Sequence, residues 1–321
     1  MSDLPAAPPA PPERGAPIPL AALRALRPKQ WTKNGLLFAA LIFSGAFHDP
    51  QAIGRALLGF AAFCLMSSSG YVLNDTLDRE ADRLHPKKRL RPIASGELPV
   101  SAAWVTMALT LSLGLLLASQ LGTGFLIVGL AYLSITLSYS YVFKHMVILD
   151  VMFLASGFVW RAIAGALAIA VPVSPWLLLC TAFLALWLGF NKRRAELRHV
   201  GAGAGTRKNL AQYNQQMLAS LESIVTSNTV LSYSLYAVLG PTPWMALTIP
   251  FVLYGIFRYV YLVEQLGEGG APDETLLKDR PLQATVVLYG LTAIAVLLAD
   301  ERGLLPKLEP SDLGRPSAAA R

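Results

Sequence analysis

Charged residues are scarce in this chain: they make up 15% of its 321 residues, whereas hydrophobic residues make up 54%. Ordinary soluble proteins have roughly a quarter of their residues charged. The deficit and a positive mean hydropathy of +0.48 exclude a typical soluble protein. Long apolar runs recur along the chain, so the sequence predicts a multi-pass α-helical membrane protein.

Cysteine and histidine are also scarce. The two cysteines, Cys64 and Cys180, both lie inside apolar runs, which is typical of small buried side chains. The four histidines are scattered and show no zinc-binding spacing. The sequence therefore gives no indication of a disulfide framework or of a zinc site.

The chain divides into one large apolar domain and two short tails. Residues 1–19 are rich in Pro and Ala and lack the apolar core of a signal peptide, which predicts a disordered tail. Residues 20–300 are predicted to form a single transmembrane domain, and residues 301–321 a second disordered tail. Nine transmembrane helices are predicted, at about 35–47, 53–73, 101–119, 122–142, 147–170, 175–190, 219–239, 244–263 and 283–300.

Basic residues concentrate in alternate loops. Six of them lie between Arg79 and Arg91, and six more follow the sixth apolar segment, whereas the intervening loops are nearly uncharged. The positive-inside rule places the basic loops in the cytoplasm. With nine spans in a plasma or inner membrane, the N-terminus is then cytoplasmic and the C-terminus external. This topology accounts for the net charge of +7 without a nucleic-acid partner.

An acidic motif, NDTLDREAD, follows the second apolar segment. Asp75, Asp78 and Asp82 are spaced i, i+3, i+7, which places them within roughly 60° of arc on one helix. Such carboxylates repel one another unless a cation lies between them. Mg²⁺ uses one or two carboxylates together with phosphate oxygens. The motif predicts a site for Mg²⁺, or Mn²⁺, with Asn74 orienting it or binding weakly; a solvated helix end is the alternative.

Several basic residues are candidates for binding phosphate. Lys29 and Lys33 precede the first span, where membrane anchoring is an equal alternative. Arg91 follows the aspartates closely. Lys192, Arg193 and Arg194 follow the sixth segment, and an arginine can grip phosphate with a bidentate fork. A role of this last cluster in topology alone is also open.

Ionisable residues in or beside later spans are further candidates. Asp150 and Arg161 lie about three turns apart on the fifth span, and an ionisable group there normally faces a cavity or a partner. Arg161 is predicted to meet either a lipid phosphate or a buried acid. Asp279 and Arg280 precede Pro281 at a predicted helix start, where capping and substrate contact are both open.

The NDxxDxxxD pattern at the end of the second span, with nine spans, resembles the UbiA prenyltransferase superfamily. The resemblance implies a helical bundle around a central cavity that opens laterally to lipid. It also implies that Asp75, Asp78 and Asp82 bind a substrate diphosphate through Mg²⁺ and are the catalytic residues. Most members carry a second aspartate-rich motif after the sixth span, but this chain has FNKRRAELRH there.

In this departure and in the motifs RPKQWTKN, RLRPIASG and LLKDRPL, the chain resembles the phosphoribosyl-transferring branch of the superfamily. This resemblance implies transfer of 5-phosphoribose from phosphoribosyl diphosphate (PRPP) to a polyprenyl (decaprenyl) phosphate. The other product is pyrophosphate, and the pathway is the synthesis of a cell-wall arabinose donor. Two alternatives stay open: a prenyltransferase that acts on an aromatic or haem acceptor, and a non-catalytic lipid or ion carrier. Oligomerisation is also open.

Overall fold

Helices form every regular element in the described part of the chain. The structure, a computed structural model, describes residues 17–85, 88–200, 209–240, 242–265, 275 and 278–306. Most of the two predicted tails, 1–16 and 307–321, lies outside these ranges. The α-helices are α1 (Ile18–Ala25), α2 (Phe38–Phe43), α3 (Pro50–Leu77), α4 (Arg79–Leu84), α5 (Pro92–Ser95), α6 (Val100–Gln120), α7 (Thr123–Tyr141), α8 (Leu149–Ala168), α9 (Pro175–Val200), α10 (Gln215–Leu239), α11 (Ile249–Gln265) and α12 (Arg280–Glu301).

Short 3₁₀-helices connect several of these elements. They cover Pro28–Leu37, Ala46–His48, Lys88–Leu90, Phe143–His145, Leu210–Gln212 and Pro243–Thr248. The first has ten residues, although 3₁₀ runs beyond three or four residues are uncommon. The prediction of an ordinary membrane helix at 35–47 is therefore wrong in form, because the chain enters the bundle as this 3₁₀-helix followed by the six residues of α2.

Seven helices of the described residues are long and apolar enough to cross a membrane. Six of them are α3, α6, α7, α8, α9 and α12, and the seventh joins Pro243–Thr248 to α11. The predicted count of nine is not confirmed. The first predicted span is too short, and α10 carries polar residues such as Glu222 and Asn228 along its length.

Two buried apolar clusters hold the bundle together. The first packs Phe63 and Met66 of α3 against Phe125 of α7. The second packs Trp187 of α9 against Leu218 of α10, with residues of α11 and α12 around them. Between them lies α8, which contacts both α7 and α9. The polar residues of α8 are thereby brought to the centre of the bundle.

A glycine lets the Pro28–Leu37 segment lie directly against α8. A Cβ atom built on Gly165 would lie 2.2 Å from the backbone oxygen of Leu37, a distance that no side chain can occupy. Small residues allow this kind of backbone approach between membrane helices. The contact fixes the position of the 3₁₀ segment against α8. Asn34 of the segment is thereby buried in the bundle, and Arg27 lies immediately before the segment begins.

Candidate active site

The end of the bundle at which α3 stops gathers the charged motifs; we call it the motif end. Asn74 Nδ2 donates to Ser140 Oγ at 2.9 Å, which ties α3 to the end of α7. Arg194 of α9 forms an ion pair with Glu264 of α11 at the same end. The amide of Asn74 therefore has a structural partner beside the carboxylates that it was predicted to support.

The acidic motif does not form one continuous helix. Helix α3 ends at Leu77, Asp78 occupies a turn, and α4 begins at Arg79. Asp75 and Asp82 are 3% and 2% exposed, whereas Asp78 is exposed. The predicted single stripe of three carboxylates is therefore wrong. Three carboxylates side by side would repel, and here two of them turn inward while the third faces outward.

Two arginines hold the inward carboxylates. Arg91 Nη1 lies 2.6 Å from Asp82 Oδ2 and 3.0 Å from Asp75 Oδ1. Arg27 Nη2 lies 2.5 Å from the same Oδ1 of Asp75, and its guanidinium carbon lies 5.1 Å from the centre of the Tyr71 ring. The ammonium of Lys88 is 3.9 Å from Asp82. We call Asp75, Asp82, Arg27 and Arg91 the charge cluster.

The donor set of the charge cluster fits a divalent cation. The oxygens of two buried carboxylates converge on one position, which the cationic Nη1 of Arg91 occupies. Mg²⁺ accepts one or two protein carboxylates and takes its remaining ligands from water and phosphate. No group of three or more His, Cys, Asp and Glu residues that could hold a metal occurs in the described ranges. Asp75 and Asp82 are thus the two carboxylates of the charge cluster that could hold the cation.

The lysines predicted to bind phosphate near the first span lie on the 3₁₀ segment. Lys29 is exposed and Lys33 is half-buried. Four residues correspond to more than one turn of a 3₁₀-helix, so the two side chains do not share a face as they would on an α-helix. Both follow Arg27 closely along the chain, and Arg27 belongs to the charge cluster.

Arg193 lies in a buried ion pair. Its Nε is 2.7 Å from Asp150 Oδ2 and its Nη1 is 2.6 Å from Glu196, while the Arg193 and Asp150 side chains are 2% and 0% exposed. Tyr213 donates to the other oxygen of Asp150 at 2.7 Å. Burial, together with this hydrogen bond, raises the pKa of the Tyr213 hydroxyl, which keeps it protonated. In this structure Arg193 and Asp150 pair with each other in the interior, and their contact with substrate stays a prediction.

The same network holds a strained turn before α8. Ile148 has φ 68° and ψ −50°, and Leu149 donates to the carbonyl of Val147 at 2.8 Å, which defines a γ-turn of the rare type. The backbone N–H of Ile148 donates to Tyr213 Oη at 2.6 Å. Tyr213 therefore connects the turn to Asp150, and the network fixes where α8 begins.

Arg194 and Lys192 also differ from the prediction of a phosphate-binding triplet. Arg194 Nη1 lies 2.8 Å from Glu222 of α10 and forms a second ion pair with Glu264 of α11. Arg194 thus joins three helices. Lys192, the residue before these two arginines, is half-buried. Arg193 and Arg194 contact different neighbours because consecutive residues of the continuous helix α9 lie on different faces.

Arg161 occupies the interior of the bundle, as predicted for a residue that faces a partner. Its guanidinium donates to Asn34 Oδ1 at 2.7 Å, Tyr132 Oη at 2.8 Å and the carbonyl of Gly157 at 2.8 Å. These three partners are neutral groups, so the predicted buried acid is not among the hydrogen-bond partners of Arg161 in the described residues. The contacts tie α8 to α7 and to the 3₁₀ segment.

Asp279 caps α12, which is one of the two roles predicted for it. Its Oδ1 accepts from the backbone N–H of Leu282 at 2.8 Å, and its Oδ2 lies 2.7 Å from Arg258 Nη2 of α11. Arg280 is exposed at the first position of the helix, before Pro281. The hydrogen bond from Arg258 holds the pKa of the Asp279 carboxyl below its ordinary value.

An apolar cavity of about 420 Å³ lies among α2, α9, α10, α11 and α12. Its wall includes Trp187, Tyr259 and Leu282 toward the motif end, and Phe43 and Tyr236 toward the opposite end. The lining is almost entirely hydrocarbon and aromatic. Such a space suits an apolar chain more than a polar metabolite.

Sequence reasoning missed three contributors to these clusters. Arg27 is 48 residues from Asp75, Tyr213 is 63 from Asp150, and Asn34 is 127 from Arg161. The basic RPKQW stretch indicated a membrane interface and gave Arg27 no specific partner. Pairs this distant in sequence leave no spacing pattern, so only the packing of the helices identifies them.

Comparison with known proteins gives a consistent result. The UbiA prenyltransferase family profile matches residues 35–271. The decaprenyl-phosphate phosphoribosyltransferase of Corynebacterium glutamicum is 37% identical over 279 residues, covering 83% of this chain and 83% of that protein. The protein of the same name from Mycolicibacterium smegmatis is 37% identical over 279 residues, covering 81% and 87%. That from Mycobacterium tuberculosis is 35% identical over 286 residues, covering 86% and 93%.

Solved structures share the fold. A UbiA homologue from Archaeoglobus fulgidus, bound to GPP and Mg²⁺, superposes with a TM-score of 0.68 at 21% identity, covering 87% of this chain and 99% of that one. A UbiA homologue from Aeropyrum pernix in its apo form superposes with a TM-score of 0.58 at 15% identity, covering 85% and 98%. At these identities the likeness concerns the arrangement of helices alone.

Proposed function

We propose that this chain, which belongs to the UbiA prenyltransferase family, transfers 5-phosphoribose from PRPP to a polyprenyl phosphate and releases pyrophosphate. Family membership confirms the resemblance predicted from the sequence motifs, and with it a transferase embedded in the membrane by several helices. The curated relatives match along more than four fifths of this chain, and their name specifies a decaprenyl phosphate and a phosphoribosyl group. These support the donor and acceptor that we propose.

The observation that carries the proposal is the charge balance at the motif end. PRPP has a diphosphate at C1 and a monophosphate at C5, and the acceptor brings a third phosphate group. Such ligands need several cations around one carboxylate site. The charge cluster has two carboxylates and two guanidinium groups, with Lys88 beside them. The part of α9 that follows the sixth predicted apolar segment, where the resemblance implies acids in most family members, has Lys192, Arg193 and Arg194 instead.

The reaction that these residues support is a substitution at C1 of the ribose. An oxygen of the acceptor phosphate attacks C1 while the bond from C1 to the diphosphate oxygen breaks, and its electron pair leaves with pyrophosphate. Asp75 and Asp82 would hold Mg²⁺, or Mn²⁺, which neutralises the charge on the leaving group when it is bound. The acceptor phosphate is anionic at neutral pH, so the chain does not have to provide a strong general base.

The apolar cavity supports a lipid acceptor. Its wall runs from Leu282 near the motif end to Phe43 near the opposite end, so an apolar chain inside it would extend across the bundle. A polyprenyl phosphate bound in this way keeps its phosphate at the motif end. We propose that this end is cytoplasmic, because its loops carry the basic residues, and that the product serves the synthesis of a cell-wall arabinose donor.

A donor assay tests the proposal. The purified protein, Mg²⁺ and polyprenyl phosphate are incubated with labelled PRPP, and label is followed into the lipid phase. A parallel reaction contains prenyl diphosphate and an aromatic acceptor. We expect label transfer from PRPP and no prenylated aromatic product. Transfer of the prenyl group alone would contradict the proposed donor.

A charge-removing substitution in the same assay tests the role of the charge cluster. Asp75→Asn keeps the shape of the side chain and removes its charge, so turnover should fall by at least about a hundredfold, as for other losses of transition-state charge stabilisation. Glu80→Gln is the matched control, because Glu80 lies on the neighbouring helix α4 with its side chain 74% exposed. Normal turnover in folded Asp75→Asn would remove Asp75 from the site.

A further inference from the structure

The two inward carboxylates of the charge cluster are already occupied by guanidinium groups. Oδ1 of Asp75 accepts from Arg27 at 2.5 Å and from Arg91 at 3.0 Å. A carboxylate oxygen has two lone pairs, so this oxygen is fully used. Oδ2 of Asp82 accepts from the same Nη1 of Arg91 at 2.6 Å. One nitrogen thus lies between the two acids.

This arrangement competes with the divalent cation that the same acids would hold. Mg²⁺ binds oxygen at about 2.0–2.1 Å and demands near-octahedral geometry. A guanidinium nitrogen between the acids leaves no room there for a second cation, and two adjacent cations would repel. The side chains of Asp75 and Asp82 are 4% and 3% exposed. A cation can therefore bridge Asp75 Oδ1 and Asp82 Oδ2 only after Arg91 has moved.

Arg27 and Arg91 are placed so that they can move. Their side chains are 29% and 28% exposed, so each lies at the boundary between the buried acids and the open side of the site. Arg27 also has a left-handed backbone, with φ 54° and ψ 61°. Residues other than Gly adopt this conformation infrequently, and such strain persists only where contacts maintain it. The contact with Asp75 is one such contact.

We propose that Arg27 and Arg91 exchange partners when the donor binds. In the free protein they neutralise Asp75 and Asp82 and keep the metal position closed. When a diphosphate arrives with its divalent cation, the carboxylates pass to the cation and the guanidinium groups pass to the diphosphate oxygens. This inference rests on the proposed function only in requiring a diphosphate donor. It assigns Arg27 to the donor site and makes metal and donor binding mutually dependent.

The exchange predicts an unusual effect of removing Arg91. Loss of a cation that competes with the metal should strengthen the binding of metal alone, whereas loss of a phosphate ligand should weaken the binding of the donor. A residue with a merely structural role would weaken both when it is removed. One charge-assisted contact corresponds to roughly a ten- to hundredfold change in affinity. The two effects should thus be opposite in sign and both measurable.

The experiment measures Mn²⁺ binding by electron paramagnetic resonance of the free ion, with the full-length protein in detergent and no acceptor. Arg91→Gln and Arg27→Gln are compared with the unaltered protein, and Arg89→Gln is the control because Arg89 is exposed in the same loop. We expect Arg91→Gln to bind Mn²⁺ at least about tenfold more tightly. We also expect its Kd for PRPP, measured with Mn²⁺ present, to rise by a similar factor. Unchanged or weaker Mn²⁺ binding in both folded variants would overturn the proposal.

A second measurement uses the unaltered protein, so the proposal remains testable if a variant does not fold. Pyrophosphate at saturation should tighten Mn²⁺ binding to the protein by at least about tenfold after subtraction of the Mn²⁺ that pyrophosphate chelates in a protein-free titration, because it draws the guanidinium groups away from the acids. Equal Mn²⁺ affinity with and without pyrophosphate would overturn the proposal. In folded Arg91→Gln this factor should be smaller.

The choice of donor separates this inference from the proposed function. The same titrations are run with PRPP and with a prenyl diphosphate. Coupling to the prenyl diphosphate and not to PRPP would support the exchange of partners and contradict phosphoribosyl transfer. Label transfer from PRPP in the donor assay, with no coupling in these titrations, would support the proposed function and overturn the exchange.

Discussion

Individual charged residues in this protein divide into those that hold the fold and those placed to meet a ligand. Arg91 and Arg27 are partly exposed at the open side of the motif end, where Arg91 bridges Asp75 and Asp82 and Arg27 pairs with Asp75. Arg193 is buried and paired with Asp150 and Glu196. The sequence presents all three as basic residues beside membrane segments. Their different surroundings assign them different roles.

Removing Arg193 should affect stability more than substrate binding. Arg193→Met leaves the Asp150 carboxylate buried without its cation, which typically costs about 3–5 kcal/mol. The melting temperature in detergent should fall clearly, whereas Arg89→Ala, at an exposed site, should leave it nearly unchanged. A double-mutant cycle with Asp150→Asn should give a coupling of about 0.5–3 kcal/mol. A raised KM for PRPP with an unaltered melting temperature would instead restore the predicted phosphate contact.

At this scale the sequence located two acids of the charge cluster, Asp75 and Asp82, but not all of their partners. Asp75, Asp82 and Arg91 lie within one short motif, so their spacing in the sequence indicated that they lie close together. Arg27 and Tyr213 come from segments far along the chain, and no periodicity links them to Asp75 or Asp150. Which carboxylate turns inward was also unpredictable, because it depends on the interruption of the helix at Asp78.

Among the elements, the 3₁₀ segment Pro28–Leu37 makes an unusually close backbone contact with one helix, α8. Its backbone rests on Gly165 of α8. Gly165→Ala should force the two backbones apart and destabilise the protein by about 1–3 kcal/mol, as overpacking typically does. Gly54→Ala on α3 is the control: a Cβ there meets nothing within 4 Å, and alanine favours a helix. The melting temperature should fall in Gly165→Ala and rise in Gly54→Ala. Equal melting temperatures of the two variants would show that the close approach is unimportant.

The ion pair between Arg258 of α11 and Asp279 at the start of α12 should contribute less to stability at acid pH. The hydrogen bond from Arg258 lowers the pKa of Asp279, so the contribution of Asp279 to stability is fully present above its unfolded pKa of about 4. It is lost as the pH falls through the lower folded pKa. Asp279→Asn should therefore lower the melting temperature at pH 7, and the difference from the unaltered protein should shrink below about pH 4. A constant difference over this range would contradict the ion pair.

Apolar runs predicted the existence of the long helices well and their ends less well. The second run was predicted to end at residue 73, whereas α3 continues to Leu77. The polar residues after Leu73 remain helical because Asn74 bonds to Ser140 and Asp75 to two arginines. The first run was predicted to form an ordinary membrane helix, and this was wrong. Contact of Leu37 with Gly165 favours a 3₁₀ conformation there, which composition does not indicate.

The whole molecule is electrically asymmetric, with the charged motifs collected at one end of the helices. The positive-inside rule predicts that this end is cytoplasmic. In a background of Cys64→Ala and Cys180→Ala, Leu84→Cys reports on the motif end and Arg302→Cys on the opposite end; both positions are exposed. An impermeant thiol reagent should label Arg302→Cys in intact cells and label Leu84→Cys only after permeabilisation. The reverse pattern would place the charge cluster outside.

The length of the ten-residue 3₁₀ segment sets the distance between its contacts with two polar groups, Asp75 and Arg161. A 3₁₀-helix rises about 2.0 Å per residue and an α-helix about 1.5 Å, so conversion of this segment would shorten it by about 5 Å. Arg27 at its start touches Asp75, and Asn34 near its end touches Arg161. In the structure these two contacts hold the segment at the length of its 3₁₀ form. Release of Arg27 from Asp75 would therefore free one end of the segment while Asn34 stays bound to Arg161 of α8. Donor binding would in this way change the constraints on a residue in the interior of the bundle.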